Sequence, residues 1–351
     1  MARKGHRRTT GPRTVAVLAF ALVASSAAGT AHSVQPAGED NRASEWGTVI
    51  DTPDGLQATA WAARLSGLGD INDAKLLETA DPATPSVPNS EASKAGPVDV
   101  APAGVRIGQG SDLSSRAFRN QVPQDVSGEE TTAAPGTAYA DSGGAKTEIG
   151  LPYTAQSKGG TQPSGISVNV DACRATAISL PRKPVQLDGG SCRGYISLMG
   201  QKAIDIPAQT PINFGARIQA GQDGAPLAIV TINEQVTTDK KGRPTLGPDK
   251  KYRYDPRATS GYVNGVHISV LGPEVSDATL WHAAVIRDPS KTDKINAKPQ
   301  LPGFLQRILA RQEPDAKKPL PQFPADATWA KDQYGQELWS GKLPQFDEDD
   351  S

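Results

Sequence analysis

Apolar and polar residues alternate with a period of two after Gly165, and that pattern sets the expected fold. Ile166, Val168 and Val170 alternate with Ser167 and Asn169, as in a half-buried strand, and the run continues past Cys173 until Pro181 and Pro184 stop it. Gly189-Gly190 turns the chain, Cys192 to Met199 reads as the next strand, and Lys202 to Ile206 as another closed by Pro207. Leu227 to Thr237 is apolar on both faces, which places it near the middle of a sandwich. Val266, Ile268 and Val270 alternate with His267 and Ser269 in a strand headed by Asn264, and Leu280 to Ile286 supplies a last strand carrying Trp281. Earlier signals are weaker. Leu56 to Leu65 reads as a first strand, or as a short helix on its alanine content, and Val105 to Phe118 as an edge strand.

Asp81 to Pro102 and Ser127 to Thr161 are rich in Pro, Ser, Ala and Asp, a composition that buries little. Glycine and proline together number 64 of 351 residues, which favours short strands and turns. The expected fold class is therefore all-β: a small β-sandwich over residues 56–290, densest over 165–290, with a low-complexity insert at about 119–163. Disordered or Pro-rich flanks are expected on both sides, a polar spacer over 34–55 and an acidic C-terminal extension over 291–351. Within the extension, Phe304 to Gln312 predicts two helical turns with Leu305, Ile308 and Leu309 on one side.

Residues 1–33 read as an export signal. Arg3, Lys4, Arg7, Arg8 and Arg13 form a basic leader, Val15 to Ala24 is an apolar segment short of the ~20 residues that span a bilayer, and Ala31-His32-Ser33 offers a small-x-small cleavage site. Arg7-Arg8 invites a twin-arginine reading, against which Thr10, Gly11 and Pro12 stand where apolar residues and a lysine are wanted; an uncleaved anchor is the other alternative. Cleavage removes five of the 37 basic residues and none of the 38 acidic ones, leaving a net charge of about −6. That balance argues against nucleic acid or anionic lipid as partner, and no transmembrane segment is expected in the mature chain. An extracellular, secreted or surface-associated location follows. In an oxidising compartment Cys173 and Cys192 are most simply a disulfide, worth about 3 kcal/mol by loop entropy; metal ligation would need two further ligands, and free thiols would need reducing conditions.

Three short motifs occur in order between Cys173 and Ile286. They are Leu198-Met199-Gly200-Gln201-Lys202-Ala203-Ile204-Asp205-Ile206-Pro207, then Ile232-Asn233-Glu234-Gln235, then Val263-Asn264-Gly265-Val266-His267-Ile268. Together they resemble the choice-of-anchor P family of exported, mostly actinobacterial proteins, whose strands carry a Gly-Gln turn, an Asn-Glu-Gln end and a Val-Asn-x-x-His run. The resemblance implies a small surface or secreted β-sandwich with no known activity and a variable tether. The acidic end of this sequence departs from the anchored members. Leu151-Pro152-Tyr153-Thr154-Ala155 mimics a wall-sorting pentapeptide, but no apolar span with basic residues follows it.

Catalytic constellations are scarce. After cleavage His267 and His282 are the remaining histidines, no G-x-S-x-G elbow is present, and neither histidine belongs to an H-x-x-x-H pair. Asp347 to Asp350 lacks the spaced oxygens of a calcium loop. No catalytic, cofactor or metal residue is expected. Asn233, Glu234, Gln235 and His267 remain as a polar ligand cluster, read either as strand-end groups satisfying the backbone or as a ligand contact. Two function classes follow: a non-catalytic structural or binding sandwich whose partner is a cell-envelope component or surface protein, and a cell-envelope hydrolase or accessory glycan- or peptide-binding domain. An enzyme should gather Glu234, His267 and a further carboxylate around one concave pocket. The tail adds Leu301-Pro-Gly-Phe304, Leu320-Pro-Gln-Phe323 and Leu343-Pro-Gln-Phe346, repeated elements read as docking motifs for a partner or for the sandwich, or as coincidence.

Overall fold

A computed structural model of the chain describes residues 51–66, 74–81, 98–104, 106–125, 130–156, 160–189, 192–198, 201–206, 210, 212–219, 226–245, 254–270, 276–296, 299–311, 330–331 and 337–338. The export signal, the spacer up to residue 50 and the second and third Leu-Pro-x-Phe elements lie outside the described residues. In chain order the strands are β1 (Leu56–Ser66), β2 (Ala74–Leu76), β3 (Thr79–Asp81), β4 (Val98–Val100), β5 (Gly108–Pro123), β6 (Thr131–Gln156), β7 (Gly160–Ser179) and β8 (Gln186–Asp188). They continue with β9 (Arg193–Leu198), β10 (Gln201–Ile206), β11 (Phe214–Gln219), β12 (Pro226–Thr238), β13 (Ser260–Val270) and β14 (Ser276–Arg287). Helices α1 (Pro289–Thr292) and α2 (Gly303–Arg311) follow, then the two-residue pair β15 (Ala330–Lys331) and β16 (Glu337–Leu338).

The architecture is an all-β sandwich of two antiparallel sheets. One is ordered β11-β12-β13-β14-β1-β2 with β3 also on β1; the other is ordered β10-β9-β7-β6-β5-β4 with β8 also on β7. Between them lies one apolar core fed by both, including Val230, Ile232, Val266 and Ile268 from the first sheet and Ile149, Val168, Val170 and Ile196 from the second. Cys173 and Cys192 are joined as a disulfide within that core, their Cα atoms 4.5 Å apart. Leu56 to Ser66 is a strand and not a helix, because it lies between β14 and β2, where its alanines Ala58, Ala60, Ala62 and Ala63 are fully buried.

Three expectations need correction. Residues 119–163, expected as a low-complexity insert, carry the end of β5, all of β6 and the start of β7. The prolines that argued against a strand fall at irregularities: Pro135 lies where the β5–β6 register slips beyond Arg119, with the next residue's amide, Gly136 N–H, donating to Asn120 Oδ1 at 2.8 Å, and Pro152 lies at the β6–β7 slip between Leu151 and Tyr153. The sorting-like pentapeptide therefore sits inside β6. Next, β5 is paired on both sides only over Gly108 to Gly110, where β4 covers it; from Ser111 onward β6 is its one pairing strand among the described residues, so the expected edge begins there. Last, Asn264 is in the middle of β13 instead of at its head, because Gly261 to Val263 pair on both sides, with Gln235 to Thr237 and with Ala283 to Val285.

The chain beyond β14 crosses from the first sheet to the outside of the second. Arg287 fastens the crossing, donating to Ser179 Oγ and Thr292 Oγ1 at 2.9 Å, to the Lys183 carbonyl at 2.9 Å, and to Asp293. Arg182 holds the next segment through Asp293 and Asn296. Helix α2 then sets Leu301, Phe304, Leu305, Ile308 and Leu309 against Val122, Ala134, Tyr139, Ile178 and Leu180. The helical spacing expected of these residues is realised, and the first Leu-Pro-x-Phe element docks on the sandwich itself.

Candidate functional site

The site is built on an irregularity shared by four neighbouring strands. Glu234, Asn264, His282 and Trp61 are direct partners across β12, β13, β14 and β1, and the next partnered row is Ile232, Val266, Leu280 and Ala63. Between the rows stand Asn233, Gly265, Trp281 and Ala62, which are outside the pairing. Asn233 and Trp281 both have φ of 54°, a left-handed conformation that asparagine tolerates and that costs tryptophan about 1–2 kcal/mol. One residue is thus inserted in each strand, and core positions step by three across the row, from Val263 to Val266 and from Leu280 to Ala283. Gly265 is required by space: a Cβ there would fall 2.8 Å from Trp281 and 3.1 Å from Cys173 Sγ.

This shift puts Asn264 and His267 on one face although they are three residues apart. Glu234 Oε2 accepts from Asn264 Nδ2 at 2.6 Å and from His267 Nδ1 at 2.8 Å. The other ring nitrogen of His267, Nε2, lies 2.8 Å from Asp277 Oδ2. Asn264 Oδ1 accepts from His282 Nδ1 at 2.7 Å. The His282 ring stacks on Trp61 with centroids 3.5 Å apart and planes 4° from parallel, and Tyr262 lies at 5.6 Å from the same ring. Trp61 Nε1 donates to Thr279 Oγ1 at 3.1 Å. All of these side chains are buried except Asp277, whose side chain is 23% exposed.

Burial by itself would lower the affinity of His267 for its proton. Asp277 and Glu234 outweigh it, through their charges and their hydrogen bonds, and hold the imidazole well above its ordinary pKa of 6.5. The ring is therefore an imidazolium that donates from both nitrogens, a charged brace joining β12, β13 and β14. Among the described residues no group of His, Cys, Asp or Glu side chains is arranged to hold a metal ion.

The expected cluster divides in two. Glu234 and His267 meet, whereas Asn233 and Gln235 form a separate knot: Asn233 Oδ1 accepts from Gly189 N–H at 2.9 Å and Gln235 Nε2 at 2.8 Å, Asn233 Nδ2 donates to the Thr210 carbonyl at 3.1 Å, and Gln235 N–H donates to Asn213 Oδ1 at 2.7 Å. That knot satisfies backbone groups of the loop before Cys192 and the turn before β11. Asn264, Asp277, His282 and Trp61 complete the first group without having been expected in it. Leu301 and Phe304 are half-buried beside α2, and Leu320, Phe323, Leu343 and Phe346 lie outside the described residues. Comparison of the chain with family models, with curated proteins and with solved structures found no match in any of the three.

Proposed function

We propose that this chain is an exported, non-catalytic β-sandwich of structural or binding type, working at the cell surface or in the medium, with a cell-envelope component or surface protein as partner. The observation that carries the reading is the bonding of His267. A general base needs a ring nitrogen with its lone pair turned to a nucleophile, and here both nitrogens face carboxylates at 2.8 Å. Such an imidazolium fixes a fold and does not relay protons. The export signal expected at residues 1–33 and the Cys173–Cys192 bridge support each other, because disulfides persist in oxidising compartments. The likeness to the choice-of-anchor P family supports the same class.

The second reading, an envelope hydrolase or a glycan- or peptide-binding accessory domain, draws on the convergence of Glu234 and His267 with a further carboxylate, Asp277. One experiment separates the two. The mature protein is incubated with purified cell envelope, and bound protein and released sugars and peptides are both measured. Retention on the envelope without release is expected, and His267→Asn should leave it so wherever the variant remains folded. Release of fragments by the wild type that His267→Asn abolishes, with the circular dichroism spectrum unchanged, would overturn the non-catalytic reading.

A further inference from the structure

A second charged cluster lies on the outer face of the other sheet. Arg116, Asp141 and Thr176 are neighbours across β5, β6 and β7, one row from Phe118, Tyr139 and Ile178, and Arg174 stands two residues from Thr176 along β7. Arg116 donates to Asp141 from Nε to Oδ1 at 2.9 Å and from Nη2 to Oδ2. The Tyr139 hydroxyl donates to the same Oδ2, and Arg174 Nη1 adds a contact at 3.3 Å. Burial, with the Asp141 charge beside it, holds the Tyr139 phenol well above its ordinary value of 10, so it stays a neutral donor. Asp141 is thus held by four donors, three converging on Oδ2 and one on Oδ1, and Arg116 Nη1 is not among them.

The second amino group of Arg116, Nη1, is then left over. The side chain is 2% exposed, and Nη1 meets no acceptor among the described residues, a costly state for a buried charged donor. Asp125 contributes charge at Arg116 from an exposed position, and Asp188 ends the same row on β8 beyond Thr176; neither hydrogen-bonds Nη1. Arg174 is 35% exposed, so the two guanidinium groups run from the interior to the solvent. We propose that Arg116 Nη1 and Arg174 form a binding site for a small oxyanion of the phosphate or carboxylate class, entered from the Arg174 side. Planar guanidinium groups with unused N–H donors suit either kind, and Asp141 holds Arg116 in place for it.

The test uses the full chain. Its melting temperature is followed while sodium phosphate, sulfate or acetate is added, with sodium chloride at equal ionic strength as reference. A saturable rise is expected, about 5–10 °C at roughly 100 times the dissociation constant, with the comparison of phosphate, sulfate and acetate identifying the class bound. Arg116→Lys keeps a cation against Asp141 but loses the spare donors, and should lose the saturable rise. Arg174→Gln, at a part-exposed position, keeps the question decidable if Arg116→Lys does not fold, and should raise the half-saturating concentration roughly tenfold. A rise that chloride reproduces at equal ionic strength, or half-saturation unmoved by Arg174→Gln, would overturn the assignment.

Discussion

Glu234→Gln removes the charge from one side of His267 while keeping the shape of the side chain, and the consequence is quantitative. Breaking a buried ion pair from one side costs about 3–5 kcal/mol. Asp277 still faces Nε2 at 2.8 Å and is 23% exposed, so the remaining charge is partly met by carboxylate and water and the lower end applies, about 3 kcal/mol. At about 2–4 °C per kcal/mol for a domain of this size, melting should fall by about 6–12 °C near pH 6. The pH dependence fixes the cause. A histidine whose folded pKa is raised contributes stability that is fully present below its unfolded value near 6.5 and is lost as the pH rises through the folded value. Without the Glu234 charge the folded pKa moves back toward 6.5, so the variant should begin to lose this contribution at lower pH. The gap between the two proteins should be widest in acid and narrow in alkali. Melting curves from pH 5 to alkaline pH at constant ionic strength, with the His267 ring titrated by NMR, measure both. A fall under about 2 °C at pH 6, or a gap that is constant with pH, would refute the brace.

Two further substitutions probe the frame around the site. Gly265→Ala drives a methyl against Trp281 and Cys173 Sγ, and urea denaturation should show a loss of about 1–3 kcal/mol; wild-type stability would mean that the inserted row has room to spare. Leu305→Ala empties the fully buried position of α2, and should cost about 2–4 kcal/mol with increased binding of an apolar dye, whereas an unchanged melting point and no dye binding would mean that α2 does not seal that face.

The strands with strong contrast were legible in the sequence. In β7 and β13 the alternation of Ile and Val with polar residues marks both the strand and its buried face, and in β12 the apolar run from Leu227 marks the strand. β6 was not legible, because Ala134, Ala138 and Ala140 are completely buried in a strand paired on both sides, where small side chains fill the space and leave little hydropathy contrast. Its prolines mark slips in register, which read along the sequence as breaks. At the site, Glu234 and His267 were legible as polar residues on apolar strands. Asn264, His282 and Trp61 were not, since a strict period of two assigns faces correctly on one side of the row at Asn233, Gly265, Trp281 and Ala62 and inverts them on the other. A single inserted residue leaves no mark in composition. Four aligned insertions exist only once the strands are paired.

The pairing of β1 with β14 bears on how the protein comes to be folded. About 210 residues separate the end of β1 at Ser66 from the start of β14 at Ser276, yet these two strands are neighbours from Leu56–Arg287 to Ser66–Asp277. A chain made from its N-terminus at about 5–20 residues per second leaves β1 without that neighbour for roughly 10–40 s. During this interval the strands near in sequence that can occupy β1, among the described residues, are the three-residue β2 and β3, and its Trp61 and its alanines have no finished sheet to enter. Such a contact order predicts slow folding whose rate-limiting event is the arrival of the last long strand. A chain that stops before Ser276 lacks the strand that pairs along the whole of β1 and leaves that edge of the first sheet open.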